Sequence, residues 1–422
     1  MGVKKVKKVE IASLDEKGRG VGKINSKEIR VHFAVPGDIV EVKTYRRKGL
    51  KGRILRILKH SPLRVKPRCK HFGKCGGCRW QNIRYKEQLK IKQDVIRELF
   101  KGCRVSKIVA SEEFRYRNRM DFIFWKGFKL GLREPESYDR VVDIENCLLI
   151  SEKCNEIMAK VKSFVEENKI SIYDFKKKRG LLRYLVLREA RFTNERMAVI
   201  LTSKQDFPKI KELEVDANII WSRTSTLSDV SQGEEHEVIK GKEYITEKLL
   251  GYSFRITPSI FFQTNSKQAE EIYKTVVEFS DLSGREKVLD LYCGSGAIGI
   301  ILASQAKSVV GVEISKEAVE VAKINARENN IENIKFICAK AEELSTIEGD
   351  VVVVDPPRAG LHKKVIKFLK KISPKKIIYV SCNPRTQKRD IEALNYKIEE
   401  VKPIDMFPHT PHIENVVLLV RG

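Results

Sequence analysis

Residues 288–299 read VLDLYCGSGAIG: an apolar run, a glycine-rich turn and the start of a second apolar stretch. Gly294, Gly296 and Gly299 follow the apolar strand directly and stand at the mouth of a helix. A turn of this kind, taken alone, is no more than a tight strand-to-helix connection. Its neighbours add meaning. Glu313 ends the next apolar run, VVGVE, where a carboxylate can accept both hydroxyls of a ribose. Asp290, inside the first strand, would repel a pyrophosphate but suits a cationic cofactor such as S-adenosylmethionine.

Outward from this turn, after Ser283, apolar strands alternate with helical stretches through DVVVVDPPR and KKIIYVSCNPR. Strands apolar on both faces, alternating with helices, imply a parallel sheet covered on both sides, an α/β architecture. The turn, the acid at Glu313 and DPP at 355–357 together resemble class I (Rossmann-like) methyltransferases. Relatives that methylate exocyclic amines commonly carry an aromatic after the two prolines; Arg358 stands there instead. Cys382 ends another buried strand, and Asn383-Pro384 stops that strand sharply enough to expose the thiol at the cofactor edge. A soft thiolate suits conjugate addition to C6 of a pyrimidine, which makes C5 able to accept a methyl group. The C-terminal HTPHIENVV brings His409, His412 and Glu414 just before a final strand.

FFQTN (261–265), DPPRAG (355–360), SCNPRTQKRD (381–390) and DMFPHTPHIENV (405–416) together resemble the RNA uracil-C5-methyltransferase family, and the resemblance covers essentially the whole chain. It implies methylation of uridine C5 through a covalent adduct between Cys382 and C6. Glu414 would be the base that removes the C5 proton. Gln263, Tyr292, Gly294, Gly296, Glu313 and Asp355 would bind the S-adenosylmethionine cofactor. The histidines receive no catalytic role. Members act on uridine 54 of tRNA or on uridines of large-subunit rRNA. The Lys-rich, thermophile-like composition favours an archaeal tRNA enzyme.

CKHFGKCGGC supplies Cys69, Cys75 and Cys78, and Cys147 follows in VVDIENC. Four thiolates suit tetrahedral zinc or a [4Fe-4S] cluster. Cys154 is a rival fourth ligand, and disulfides are an alternative in a hyperthermophile. The family resemblance favours the [4Fe-4S] cluster. Its spacing is not the C-x-x-x-C-x-x-C of radical chemistry, so the cluster would be structural or RNA-contacting. VPGDIVEV (35–42) resembles the TRAM domain, an OB-like β-barrel that binds RNA, with Arg46, Arg47, Lys48, Lys51 and Arg53 as its basic footprint. In FRYRNRMDF, Arg115, Arg117 and Arg119 interleave with Tyr116, a pattern suited to phosphate contact and base stacking.

Three domains are expected: a TRAM-like barrel at 1–60, a mixed, largely antiparallel central domain at 61–252, and the methyltransferase domain at 253–422. A helix at 86–100 would pack on the last. The 422 residues hold 82 Lys plus Arg against 56 Asp plus Glu, a net charge of +26 that points to a polyanionic partner. With no apolar run of about 18 residues and no secretory leader, a cytoplasmic monomer acting away from membranes is expected. A cytosine-C5 enzyme would carry a second Cys after the DPP prolines, and none is there. A noncatalytic RNA-binding iron–sulfur protein would leave Cys382 and Glu414 in their motifs unexplained.

Overall fold

A computed structural model describes residues 6–46, 48–344 and 347–422. The chain forms two compact units, Met1–Lys92 with Leu132–Ile144 and Phe407–Pro411, and Gln93–Gly131 with Glu145–Met406 and His412–Gly422. Among the described residues, no helix is long and apolar enough to cross a membrane.

In the first unit, β1 (Val6–Leu14), β2 (Gly20–Ile24), β3 (Lys27–Val31), β4 (Ile39–Arg46) and β5 (Leu50–Lys59) close into a barrel in the order β1-β2-β3-β5-β4. The period-two pattern turns Val9, Ile11, Ile29, Val31, Val40 and Val42 inward, each at most 1% exposed. A Cβ at Gly22 would lie 2.3 Å from the Glu10 carbonyl oxygen, so only glycine lets β2 approach β1 beside their register shift. Asp38 of the VPGD turn is wholly buried. It accepts hydrogen bonds from the N–H groups of Val35 (2.6 Å) and Ser61 (2.9 Å) and from the Arg64 guanidinium at 2.7 Å. The aspartate of this motif therefore closes the barrel.

Then come α1 (Tyr85–Leu99), β6 (Arg119–Trp125), β7 (Lys129–Arg133), β8 (Val141–Asp143), α2 (Glu152–Glu167), β9 (Leu182–Glu189), β10 (Arg196–Ser203), β11 (Asn218–Thr224) and β12 (Glu235–Lys240). Strands β12-β11-β10-β9-β6-β7 are neighbours in that order, antiparallel except for the parallel pair β10 and β11. A hairpin, β13 (Ile245–Leu249) and β14 (Tyr252–Ile256), and α3 (Ser266–Ser280) lead onward.

The alternating pattern begins at β15 (Lys287–Leu291), followed by α4 (Ala297–Ala303), β16 (Ser308–Glu313), α5 (Lys316–Glu328), β17 (Ile334–Cys338), β18 (Val351–Val354), α6 (Lys363–Ile372), β19 (Lys376–Ser381), α7 (Pro384–Leu394), β20 (Lys397–Ile404) and β21 (Glu414–Val420). The sheet order is β17-β16-β15-β18-β19-β21-β20; the first five are parallel, β21 is antiparallel to β19, and β20, antiparallel to β21, runs in the direction of the first five. All four valines of β18 are buried, as a strand covered on both faces requires. Ile96 and Phe100, at and just beyond the end of α1, join Leu289, Val352, Tyr379 and Val417 in the core of this sheet.

Candidate active site

Tyr292, Gly294 and Gly296 take φ angles of 63°, 53° and 84°, which turns the chain sharply between β15 and α4. A Cβ at Gly296, the N-cap of α4, would fall 2.7 Å from the Phe336 ring, so both conformation and space demand glycine. A Cβ at Gly294 would meet no atom within 4 Å, and the outer face of the turn is open. Glu313, ending β16, braces the turn by accepting the N–H groups of Gly294 (3.1 Å) and Ser315 (2.9 Å). Asp290 Oδ2 accepts from the Gly299 N–H at 2.9 Å, while its Oδ1 is buried with no hydrogen-bond partner. Burial, with Asp355 and Glu313 adding, pushes the Asp290 carboxyl up to about 8. An open glycine turn, a carboxylate at the adjacent strand end and an orphaned buried acid oxygen fit a cationic adenosyl cofactor.

Asp355 follows β18, and burial raises its carboxyl to about 7. Gln263 Nε2 stands 3.5 Å from Asp355 Oδ2. Cys382 follows β19 and Glu414 opens β21. Because Ser381 pairs with Asn415 in this antiparallel ladder, the register sets Cys382 opposite Glu414. The pairing is pinned from below: Asn415 Nδ2 donates to Gln387 Oε1 (2.7 Å), and Gln387 Nε2 donates to the carbonyls of Tyr379 (2.7 Å) and Asn415 (3.2 Å). Burial first, then the Glu414 and Asp355 carboxylates, push the Cys382 thiol up to about 11, with Arg358 opposing. Glu414 is 3% exposed; burial and then Asp355 lift its carboxyl well above the usual range. Without ligands, the thiol holds its proton at neutral pH, and burial favours the neutral form of Glu414.

The residues that carry Gln263 escaped sequence reading. Asn118 Nδ2 donates to the Gln263 carbonyl (2.8 Å), and the buried Arg188 donates to the carbonyls of Pro258 (3.2 Å) and Ile260 (2.5 Å). His236 Nε2 lies 2.6 Å from Ser259 Oγ, and Thr257 Oγ1 donates to Glu317 Oε1 at 3.0 Å. These anchors present Phe261, 66% exposed, beside Gln263. An arginine or histidine within an ordinary strand bears no local mark of the distant loop it will hold.

Several expectations are corrected. Cys69, Cys103, Cys154, Cys293, Cys338 and Cys382 are free thiols. Among the described residues no three His, Cys, Asp or Glu side chains are gathered to hold a metal ion. Cys75 Sγ instead accepts the Gly77 N–H (3.4 Å), Cys78 Sγ accepts Gln81 Nε2 (3.3 Å), and the Cys147 N–H is held by Asn155 Oδ1 (2.7 Å). Cys154 is buried in α2, and its thiol is pushed up to about 12 by burial. Tyr116 is 3% exposed and offers no face for stacking. Arg115 is bound to Glu152 and Arg119 to Asp121, both within the same unit. Lys51 is buried against Glu136. Arg46, Lys48 and Arg53 are exposed, and Arg47 lies outside the described residues. His409 is buried in the first unit, where its carbonyl accepts the N–H groups of Arg79 (2.8 Å) and Trp80 (3.0 Å), a packing role.

Comparison with known proteins agrees with this geometry. The family model described as tRNA (uracil-5-)-methyltransferase matches residues 84–351 and 346–422, and that of the tRNA (uracil(54)-C(5))-methyltransferase TRAM domain matches 7–63. A tRNA (uracil(54)-C(5))-methyltransferase of Pyrococcus horikoshii is 43% identical, covering 93% of this chain and 95% of its own length. An uncharacterized RNA methyltransferase of Nanoarchaeum equitans is 44% identical over 98% of this chain and 93% of its own. The crystal structure of Pyrococcus abyssi tRNA (uracil-54, C5)-methyltransferase with S-adenosyl-L-homocysteine superposes with a TM-score of 0.86 at 37% identity, over 98% of this chain and 99% of that one. The barrel, the doubly covered sheet and the paired Cys382 and Glu414 thus sit in a chain that belongs to the tRNA (uracil-5-)-methyltransferase family.

Proposed function

We propose that this protein methylates C5 of uridine 54 in tRNA with S-adenosylmethionine, and that Cys382 and Glu414 carry the chemistry. The opposition of these two residues across β19 and β21, beside Asp355, is the observation that supports it most. When bound, the cofactor supplies an electrophilic methyl on a sulfonium; its positive charge favours the ionised forms of Asp290 and Asp355. Gln263, Tyr292, Gly294, Gly296 and Glu313 would hold it.

Cys382 loses its proton to water and its sulfur bonds to C6, sending the C5–C6 π electron pair to C5. That pair takes the methyl group, and the sulfur–methyl bond of the cofactor breaks. Glu414, as carboxylate, then removes the C5 proton. The electrons restore the C5–C6 double bond and expel the thiolate. A base must reach this last step ionised, against the burial that favours the neutral form of Glu414.

The division into 1–60, 61–252 and 253–422 is proposed on the same basis, with RNA grip assigned to the first part. The [4Fe-4S] assignment to Cys69, Cys75, Cys78 and Cys147 rests on spacing and resemblance, and no step depends on it. Equal iron and acid-labile sulfide in anaerobically purified protein would support it, and metal-free protein would remove it. The function is tested by nucleoside mass analysis of unmodified tRNA incubated with enzyme and S-adenosylmethionine. 5-Methyluridine is expected with uridine at position 54 and not with cytidine there; methylation confined to an rRNA fragment would overturn the tRNA assignment.

A further inference from the structure

Helix α6 reads KKVIKFLKKI and holds Val365, Phe368 and Leu369 in the core. Its outer face carries Lys363, Lys364, Lys367, Lys370 and Lys371, all exposed, and the helix contains no acid. Every other charged α-helix mixes signs: Glu87, Asp94 and Glu98 in α1, Glu152 and Glu156 in α2, Glu270 and Glu271 in α3, Glu317 and Glu320 in α5, Asp390 and Glu392 in α7. Among the described residues, Lys363, Lys364, Lys367 and Lys370 have no acidic partner.

Helix stability alone does not account for this face. Lys363 and Lys364 stand in the first turn, where the helix dipole disfavours cations. Lys367 faces like charges three and four residues away on either side, and each such pair is repulsive. A face that costs stability, and whose Lys363, Lys364, Lys367 and Lys370 have no acidic partner among the described residues, calls for a partner outside the chain.

Its place fits the reaction. The loop entering α6 is tied to α7, whose cap Asn383 follows Cys382 directly. Asn383 Nδ2 (3.2 Å) and Thr386 Oγ1 (3.3 Å) donate to the Arg358 carbonyl, Arg389 Nη2 donates to the Ala359 carbonyl (2.9 Å), and the Leu361 N–H donates to Asp390 Oδ2 (2.7 Å). The lysine row therefore begins at the thiol's edge of the sheet and runs about 15 Å back along the sheet from it, the length of ten helical residues.

We propose that the exposed face of α6 is a docking surface for the RNA phosphate backbone flanking the target nucleotide, a second grip on the catalytic unit itself. The proposal rests on the reading of the protein as an RNA methyltransferase. An anionic membrane is the weaker occupant, because a membrane-bound helix also offers apolar side chains outward, whereas Ile366 and Ile372 pack against the sheet core.

The test is methylation kinetics on full-length tRNA transcript with Lys363→Gln/Lys364→Gln/Lys367→Gln/Lys370→Gln, and separately with Lys363→Glu/Lys364→Glu, which places acids where the helix prefers them and guards against loss of folding. The KM for tRNA is expected to rise about tenfold or more in the quadruple variant, and its dependence on log salt to become shallower by about 3. The kcat at saturating tRNA and the affinity for S-adenosylmethionine should stay within about twofold of wild type, a split that general damage would not produce. An unchanged KM and salt slope in both variants, with wild type active, overturns the docking surface alone. Wild type that methylates no RNA overturns the functional reading beneath it. Loss of binding to phosphatidylglycerol vesicles with unaltered tRNA kinetics also overturns the RNA surface, in favour of a membrane.

Discussion

Asp290, Asp355, Cys382 and Glu414 are all shifted toward their neutral forms by burial in one edge of a sheet. A sulfonium brought to this edge meets acids that are about to ionise. Carboxyls at about 8 and about 7 lose their protons as pH rises through that range, and only the ionised forms attract the cation. Affinity for S-adenosylmethionine should therefore rise from about pH 6 to about pH 8.5 and level off above it, by up to about tenfold per pH unit for each proton released. S-adenosylhomocysteine, with no sulfonium, should show a much weaker trend. Calorimetric titration at several pH values checks this; parallel pH profiles for the two ligands would remove the charge argument. Linkage runs the other way for the ligand-free protein. Acids raised by folding contribute stability that is lost as pH climbs through their folded values, so its melting temperature should fall over the same interval.

At the scale of elements, the loop from Thr257 to Gln263 depends on a strand of another sheet. Burial, with Arg119 nearby, lowers the Arg188 guanidinium to about 9, yet it still supplies donors to two loop carbonyls. Arg188→Met should cost about 3 kcal/mol by leaving those carbonyls unpaired, and raise the KM for S-adenosylmethionine about tenfold through the loss of Gln263 positioning. Arg188→Lys should recover part of the KM. Chemical denaturation and steady-state kinetics decide it, and an unchanged KM in a destabilised protein would reduce Arg188 to a structural role. The contrast with β15, β18 and β19 is instructive. Their apolar runs, terminal Asp355 and Cys382, and the glycine turn are local features, so the sequence alone located them. Arg188, Asn118 and His236 act across long separations, and nothing near them in sequence names their partners. The same blindness made Tyr116 and Lys51 look like RNA contacts when both are buried, Lys51 against Glu136.

For the whole molecule, the surplus of 26 positive charges predicts that tRNA methylation falls steeply with salt. The first unit is woven from three stretches of chain, and Asp38 and Gly18 in the barrel bond to Arg64 and Trp80 beyond it. Deleting residues 1–60 would strand those partners, so the barrel is better probed by charge. Arg46→Gln/Lys48→Gln/Arg53→Gln should flatten the salt dependence of tRNA binding by about 2 to 3 while S-adenosylmethionine affinity holds; an unaltered slope would count against the barrel as an RNA grip. The covalent mechanism unites all three scales and has a direct readout. tRNA carrying 5-fluorouridine at position 54 is incubated with enzyme and S-adenosylmethionine, and the products are separated under denaturing conditions and weighed. Because Glu414 cannot remove fluorine as a proton, the thiol cannot be expelled. The predicted product is a complex with the mass of one protein, one tRNA and one added methyl, absent with Cys382→Ala. A wild-type reaction that yields no such complex, or a complex that survives in Cys382→Ala, would contradict Cys382 as the nucleophile.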